Sequence, residues 1–379
     1  MSRTILQAPL QLYYSPTSGS NSSGNGSPQN PFLDPAGAWA YAASELDLSG
    51  QPLSILWYGP AATITSDLSI TGKLVGQTYS SQVLIQGNPG DNSFQPASPT
   101  NCNPTLTKGN YVWAPNPTPA GHVNAITMSG GCARVVGFDF EMMNAMSGGS
   151  NPWGADDAIN ISGAELWLSD CVFGQTLSMH NGLSAEFRSK VFIDGPIEFA
   201  TGQMQAGFGI GQGSLLFNTA GGSNGKNYCI SSGTPNLGYG WLFADEMGDV
   251  NWAGVPILQA ETANWQVAAV TQGSNQIVVP DPSWIADGFF VFSPLYPPMT
   301  TVTAINGSTL TLSNAALASS SAANLLIGSL GTANCPGSLT AWLGSVINAG
   351  GTGAAQFPGT APCAGSCPSP GNLWTSTLQ

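Results

Sequence analysis

Asp139 and Glu141 are the titratable residues whose spacing first suggests chemistry. In Val135-Val136-Gly137-Phe138-Asp139-Phe140-Glu141 they alternate with two phenylalanines, so an extended backbone points both carboxylates outward from one strand. Two positions along a strand span about 6.5 to 7 Å, near the lower limit for a carboxylate pair that cleaves a glycosidic bond with inversion. The competing reading is a solvated face opposite two buried rings. Asp156-Asp157, just ahead of Ala158-Ile159-Asn160-Ile161, could hold a cation or act with Asp139 from a neighbouring segment. A turn is the commoner reason for such residues after Asn151-Pro152-Trp153-Gly154. His180, beside Asn181, offers an acid or base, against the ordinary structural role of a lone histidine in a turn. Elimination chemistry would need a base of lowered pKa and a positive charge for an enolate-like intermediate. Among the seven basic residues only Arg134, Arg188 and Lys190 lie within the stronger strand segments, and two exposed cations flanking a turn, as in the last two, need no function.

Aromatic residues are a second kind of candidate. Tyr111, Trp113, Trp153, Trp241 and Trp252 fall in or beside segments expected to loop out, where sugar rings pack their apolar faces onto such side chains. About half of them are expected to be core or subunit contacts instead, since tryptophan is enriched at interfaces. Seven cysteines are scattered, and the two histidines, His122 and His180, lie far from the closest pair, Cys363 and Cys367. Zinc-ligand spacing is absent, so no metal and no cofactor are expected. The core cysteines read as small buried hydrophobes, and a disulfide joining Cys363 to Cys335 or Cys367 stays open. No Gly-x-Ser-x-Gly, nucleotide loop or metalloprotease motif is present.

The elements that must position these residues follow from composition. Charged residues make up 7% of the 379, where about 25% is usual, while 42% are apolar and 11 are Trp, which excludes disorder. Gly and Pro contribute 48 and 28 residues and punctuate the chain every few positions, the pattern of many short strands joined by turns. The net charge of −13 reflects only seven basic residues rather than acidic blocks. Nucleic acid is thereby excluded as a partner, and a neutral surface rich in hydroxyls and amides suits carbohydrate. Neither a Sec-type leader nor a membrane span is expected, because no apolar run has the length.

Along the chain, residues 1–52 read as an opening strand, a polar loop from Ser15 to Pro28 and a capping helix. Asp34 is the helix N-cap, Pro35 its first residue, and Trp39, Ala42, Ala43 and Leu46 its apolar face, with Gly50 ending it. Residues 53–262 read as short apolar strands such as Val83-Leu84-Ile85, Cys171-Val172-Phe173 and Val191-Phe192-Ile193. Val172 to Phe192 is 20 positions and Phe192 to Leu215 is 23, spacings suited to one turn of a parallel β-helix. Two-residue hairpin turns are scarce there, which argues against a β-sandwich. Residues 263–330 form a small β module with a hairpin signal at Asn306-Gly307, and residues 331–379 an extended Gly/Pro-rich tail with a short helix around Ser338 to Ile347. The fold expected is all-β, a right-handed parallel β-helix with an N-terminal capping helix and a small C-terminal β module.

Three segments carry a resemblance: Tyr14-Ser15-Pro16-x-x-Gly19-Ser20-Asn21 leading to Pro31-Phe32; the run from Gly182 to Phe217; and Ile285 to Val291 followed by Met299 to Ser313. Together they resemble pectate-lyase-like β-helix proteins of phage tail and head spikes or fibres. Asn21 stands where that pattern usually has an acidic residue, which speaks against calcium in the loop. The resemblance implies a virion component on the particle surface, usually a homotrimer, that contacts other virion proteins and binds host-surface polysaccharide. Some such proteins cleave the glycan, so a binding protein, a depolymerase of glycosidase or lyase type, and a purely architectural subunit remain open.

Overall fold

The computed structural model describes residues 3–87, 111–114, 124–141, 157–174, 176–200, 202–218, 229–231, 236–252, 257–259, 263–293, 295–297, 300–329, 339–341 and 345–348. From Leu53 onward the chain visits three sheets in a fixed order. Leu53–Trp57 lies in the first, Ala62–Ile64 in the second and Leu68–Ile70 in the third, and each later circuit adds one strand to each. All these pairings are parallel, so the sheets grow to nine, seven and seven strands as one winding stack. Parallel strands need crossover connections, and here the other two sheets supply them, which explains the scarcity of hairpin turns in this stretch.

Strand alternation builds the core. In the first sheet Leu166, Val191, Leu216, Val250 and Ile347 are register partners and fully buried, while their neighbours Trp167, Phe192 and Phe217 point the other way. In the second sheet Trp113, Phe140, Phe173 and Phe199 are register partners on the inside. Their rings stack at centroid distances of 6.0, 5.8 and 5.4 Å, with planes 22 to 23° apart. One continuous apolar core runs from Leu6 to Ile347.

The helix Pro35–Glu45 covers the first circuit. It packs on the strands Leu10–Tyr14, Leu53–Trp57 and Leu68–Ile70, and its buried face is Pro35, Ala38, Trp39 and Ala42. Ala43 is exposed and Leu46 belongs to the following strand, so the apolar stripe sits one residue away from its expected course. Asp34 accepts the Gly37 N–H at 2.8 Å, as an N-cap should, and also the Asn21 amide N–H at 2.9 Å. Asn21 in turn accepts the Leu33 N–H at 2.9 Å. A carboxylate cannot donate, so Asn at position 21 tethers the polar loop to the cap in a way that an acidic residue could not.

Asn264–Val270, Phe290–Phe292 and Ser320–Gly328 form one antiparallel sheet of the small module, and Gln276–Val278, Val302–Asn306 and Thr309–Leu312 the other. The two share a separate core around Val291, Leu310 and Leu325. The hairpin turns at Gly307-Ser308, where Gly307 has φ +56°. After the module the chain rejoins the stack. Leu339–Ala341 pairs with Leu242 to Ala244 in the third sheet, and Val346–Asn348 with Asp249–Asn251 in the first. These are strands where a short helix around Ser338 to Ile347 was expected, and 331–379 is accordingly more than a tail: the module is an insertion between two visits to the stack. Leu339 and Ile347 complete apolar columns, which is why they pair here.

Candidate functional site

The third sheet contains three long strands, Thr176–Glu186, Gly202–Ile210 and Asn236–Ala244, where earlier circuits have strands of three or four residues. Their length needs a bend, and glycine permits it. A Cβ on Gly182 would lie 2.6 Å from the Gly207 carbonyl oxygen and 3.1 Å from the Phe173 ring; one on Gly207 would lie 2.9 Å from both the Phe199 ring and the Trp241 carbonyl oxygen. The interior aromatic column therefore occupies the corner that side chains at these positions would need. A contact proves the bend: Ser184 is the register partner of Gly209, yet a Cβ on Gly209 would touch the Asn181 amide at 2.9 to 3.2 Å. Three positions on a flat strand span about 10 Å, so the strands fold outward-concave between Asn181 and Ser184.

A cavity of about 320 Å³ lies in that angle, lined by His180, Asn181, Ser184, Glu186, Gln212, Phe243, Asp245 and Glu246 together with Gly209 to Gly211. Asn124, Asp157 and Asn181 occupy equivalent places two residues before the register partners Ile126, Ile159 and Leu183. They form a polar column in which the Asp157 N–H donates to Asn124 Oδ1 at 2.9 Å. Asp157 Oδ1 accepts the Asn181 N–H at 2.9 Å and meets His180 Nδ1 at 3.1 Å, while Asp157 Oδ2 accepts from Asn160 Nδ2 at 2.9 Å. The carboxylate is thus buried and fully engaged, and it aims the imidazole at the cavity.

The electrostatics follow from this packing. The hydrogen bond to Asp157 lifts the His180 pKa above its ordinary value, outweighing burial, which acts the other way. Burial raises the Glu186 carboxyl, the Asp157 and Glu246 charges raise it further, and His180 partly offsets them. A carboxyl and an imidazole shifted in this way share one concave, water-accessible surface, which is suited to binding a polar ligand and to moving a proton. Among the described residues, no three His, Cys, Asp or Glu side chains are grouped to hold a metal ion.

The residues singled out in the sequence fare differently. Asp139 does lie opposite Phe138 and Phe140, but it is buried, because the outer face of the second sheet is itself covered: Val112, Val172 and Glu198, in the same outward row, are buried too. Glu141 is only partly covered, beyond the strand end, and burial raises its carboxyl. An exposed Asp139–Glu141 pair on one exterior face is therefore corrected, and neither residue lines the corner cavity.

Trp113, Trp241 and Trp252 are corrected as exterior sugar platforms, since all three are at most 1% exposed. Trp113 stacks on Phe140 and donates its indole N–H to the Ser66 carbonyl at 2.7 Å; Trp241 meets Phe199 at 5.1 Å and Trp252 meets Phe208 at 5.6 Å. A hydrogen-bonded or ring-packed indole is at home in a core. Tyr111 begins the strand Tyr111–Trp113, with its side chain outside the described residues, as are Trp153 and Asp156 altogether. Arg134 pairs with Asp194 at 3.0 Å on the first sheet, where Lys190 also lies, and Arg188 sits in the turn after Glu186 with φ +63°. Cys132 and Cys171 are buried free thiols, the latter with its pKa pushed up to about 12 by burial, consistent with small core hydrophobes. The remaining cysteine side chains lie outside the described residues.

Glu186, Asp245, Glu246 and Gln212 were missed in the sequence. Each ends a strand, follows one or occupies a turn, where polar residues are ordinary, and only the bend gathers them. A faint signal existed: Gly182, Gly207 and Gly209 recur at strand positions where a glycine marks a bend or a close approach. No protein-family model matches the chain, and neither a curated protein nor a solved structure matches it.

Proposed function

We propose that this protein is a surface-glycan-binding β-helix of a phage-type particle, a spike or fibre that holds host polysaccharide at the corner cavity of its third sheet. The observation that carries the reading is the outward row Ser69, Thr127, Asn160 and Ser184, register partners one circuit apart, which leads to the His180, Glu186 and Phe243 cavity. Hydroxyl and amide groups repeated at strand spacing suit the repeating hydroxyls of a glycan chain. The winding is taken as right-handed because parallel crossovers are so in nearly all sheets. A homotrimer on the virion surface fits the half-exposed Trp167, Phe192 and Phe217 of the first sheet, an apolar stripe that self-association would cover. A mass near 38.9 kDa by light scattering at micromolar concentration would count against the trimer. The binding test is titration of host capsular and lipopolysaccharide glycans into the purified protein. Saturable binding that Ser184→Trp abolishes is the expected result, and binding unaffected by Ser184→Trp moves the site elsewhere.

A second reading, glycan hydrolysis in the same cavity, is favoured by one observation, a Glu186 carboxyl held protonated to higher pH by burial. A general acid needs that property. New reducing ends that vanish in Glu186→Gln would establish it; unsaturated uronates would indicate a lyase, for which no Lys or Arg lines the cavity.

A further inference from the structure

We infer that the corner cavity selects a positively charged glycan unit, a sugar bearing a free primary amine, over neutral and uronate units. The inference rests on the glycan-binding reading above and names its substrate class. Its first support is the charge of the lining: Glu186, Asp245 and Glu246 face the cavity, Asp157 stands behind His180, and no Lys or Arg is among the lining residues. A uronate would meet only like charge there, apart from one imidazole.

The second support is independent of charge. Asn181 is 3% exposed, and its Oδ1 has no hydrogen-bond partner; the Oε1 atom of Gln212, in the turn after Gly202–Ile210 and lining the same cavity, is likewise buried and unpartnered although the residue is partly exposed. Leaving a buried acceptor unmade is costly, and protein interiors rarely do it without a ligand or water to complete the bond. Both unmatched atoms are acceptors, as are the carboxylates around them. The ligand they call for is rich in donors. A primary ammonium offers three N–H donors and no acceptor, and it carries the charge the lining lacks. No three of the cavity's His, Asp and Glu side chains are grouped to hold a metal ion. A sugar ring beside the ammonium would meet Phe243 and Ser184, which line the same wall.

The mechanism is recognition without covalent change. The ammonium sits between Glu186 and the carboxylates of Asp245 and Glu246 and gives its three N–H donors to them, while hydroxyls of the same sugar donate to the two amide oxygens. Glu186 is raised by burial first and by the Asp157 and Glu246 charges second; a cation bound beside it favours its ionised form, so binding releases a proton when that carboxyl was protonated.

The test is calorimetric titration of the full chain with glucosamine oligomers, their N-acetylated counterparts, oligogalacturonate and spermine. At pH 6 the glucosamine oligomers are expected to bind about tenfold more tightly than the N-acetylated ones, the step that one partly desolvated charge pair contributes. That preference should shrink as salt is raised and disappear in Glu186→Gln, whose side chain keeps the shape. Should the variant fold poorly, salt and pH dependence in the parent protein still decide the matter. Equal binding of amine and N-acetyl forms would overturn the charge inference while leaving glycan recognition standing. Tighter binding of oligogalacturonate would do the same. Spermine binding as tightly as the amino sugar would overturn the sugar part. Binding of no glycan at all would sink both this inference and the reading beneath it.

Discussion

Two aromatic columns climb this stack on opposite sides of its wall. Trp113, Phe140, Phe173 and Phe199 rise along the inside of the second sheet, and Trp167, Phe192 and Phe217 along the outside of the first. Both stack at similar spacing: 5.4 to 6.0 Å inside, 4.6 and 5.3 Å outside, with small interplanar angles in each. The stacking geometry comes from the strand repeat and is the same in either place. Burial is what differs. The inner rings are fully enclosed, touch Phe208 and Trp241, and press on the glycines that bend the third sheet. The outer rings turn their faces to one another and only their edges to solvent, so they make a poor sugar platform. The inner column thus shapes the site without touching a ligand, while the outer column shapes only a surface.

That contrast can be broken most forcefully at Phe173. Phe173→Ala removes a fully buried ring from the middle of the inner column and should cost about 3–5 kcal/mol by denaturant unfolding. A loss under about 1 kcal/mol would show that the column is not a packed core.

The corner comes next. Gly207→Ala places a methyl group 2.9 Å from the Phe199 ring and from a backbone oxygen, and should destabilise by about 1–3 kcal/mol. It should also open the cavity angle and weaken ligand binding at concentrations where the variant remains folded. Unchanged stability and binding would mean that the glycine is not what bends the strand.

A smaller effect is expected outside. Phe192→Ala removes one of three half-exposed rings and should cost about 0.5–1.5 kcal/mol in the monomer, the range of a stacked pair. If the stripe is a subunit contact, the same substitution lowers the oligomer mass in light scattering. A loss as large as that of Phe173→Ala would erase the distinction between the columns.

The smallest effects are electrostatic. His180 has its pKa raised above its ordinary 6.5 in the folded chain, so its bond to Asp157 stabilises fully below that value and fades as pH rises through the folded pKa. His180→Gln should therefore lower Tm most below the ordinary imidazole pKa, with the difference shrinking as pH rises through the raised folded pKa. Glu186 is likewise raised above its ordinary 4.5, so its ionisation works against the fold above that pH, and Glu186→Gln should raise Tm slightly at neutral pH. A Tm difference for His180→Gln that grew with pH would contradict the His180–Asp157 bond.

Much of the architecture was legible from local patterns. Asp34-Pro35 marked the helix start, the spacing of short apolar runs marked circuits of parallel strand, and Asn306-Gly307 marked the hairpin of the module. These depend on backbone chemistry within a few residues, which a sequence states directly. The side of a strand that faces the core was harder. Val112 and Trp113 are both buried, as are Asp139 and Phe140, so alternation alone could not separate inside from outside once the outer face was covered.

What the sequence determined by itself was therefore the class of fold, the cap and the module, because composition and short-range periodicity carry them. The tertiary structure decided the rest. Only stacking brings Asp157, His180, Glu186, Gln212 and Asp245 together from successive circuits, and only the contact of Phe173 and Phe199 with Gly182 and Gly207 bends the strands around them. The separations involved, 23 residues from Asp157 to His180 and two circuits from Glu186 to Asp245, are lengths over which no local pattern reports; register and packing do.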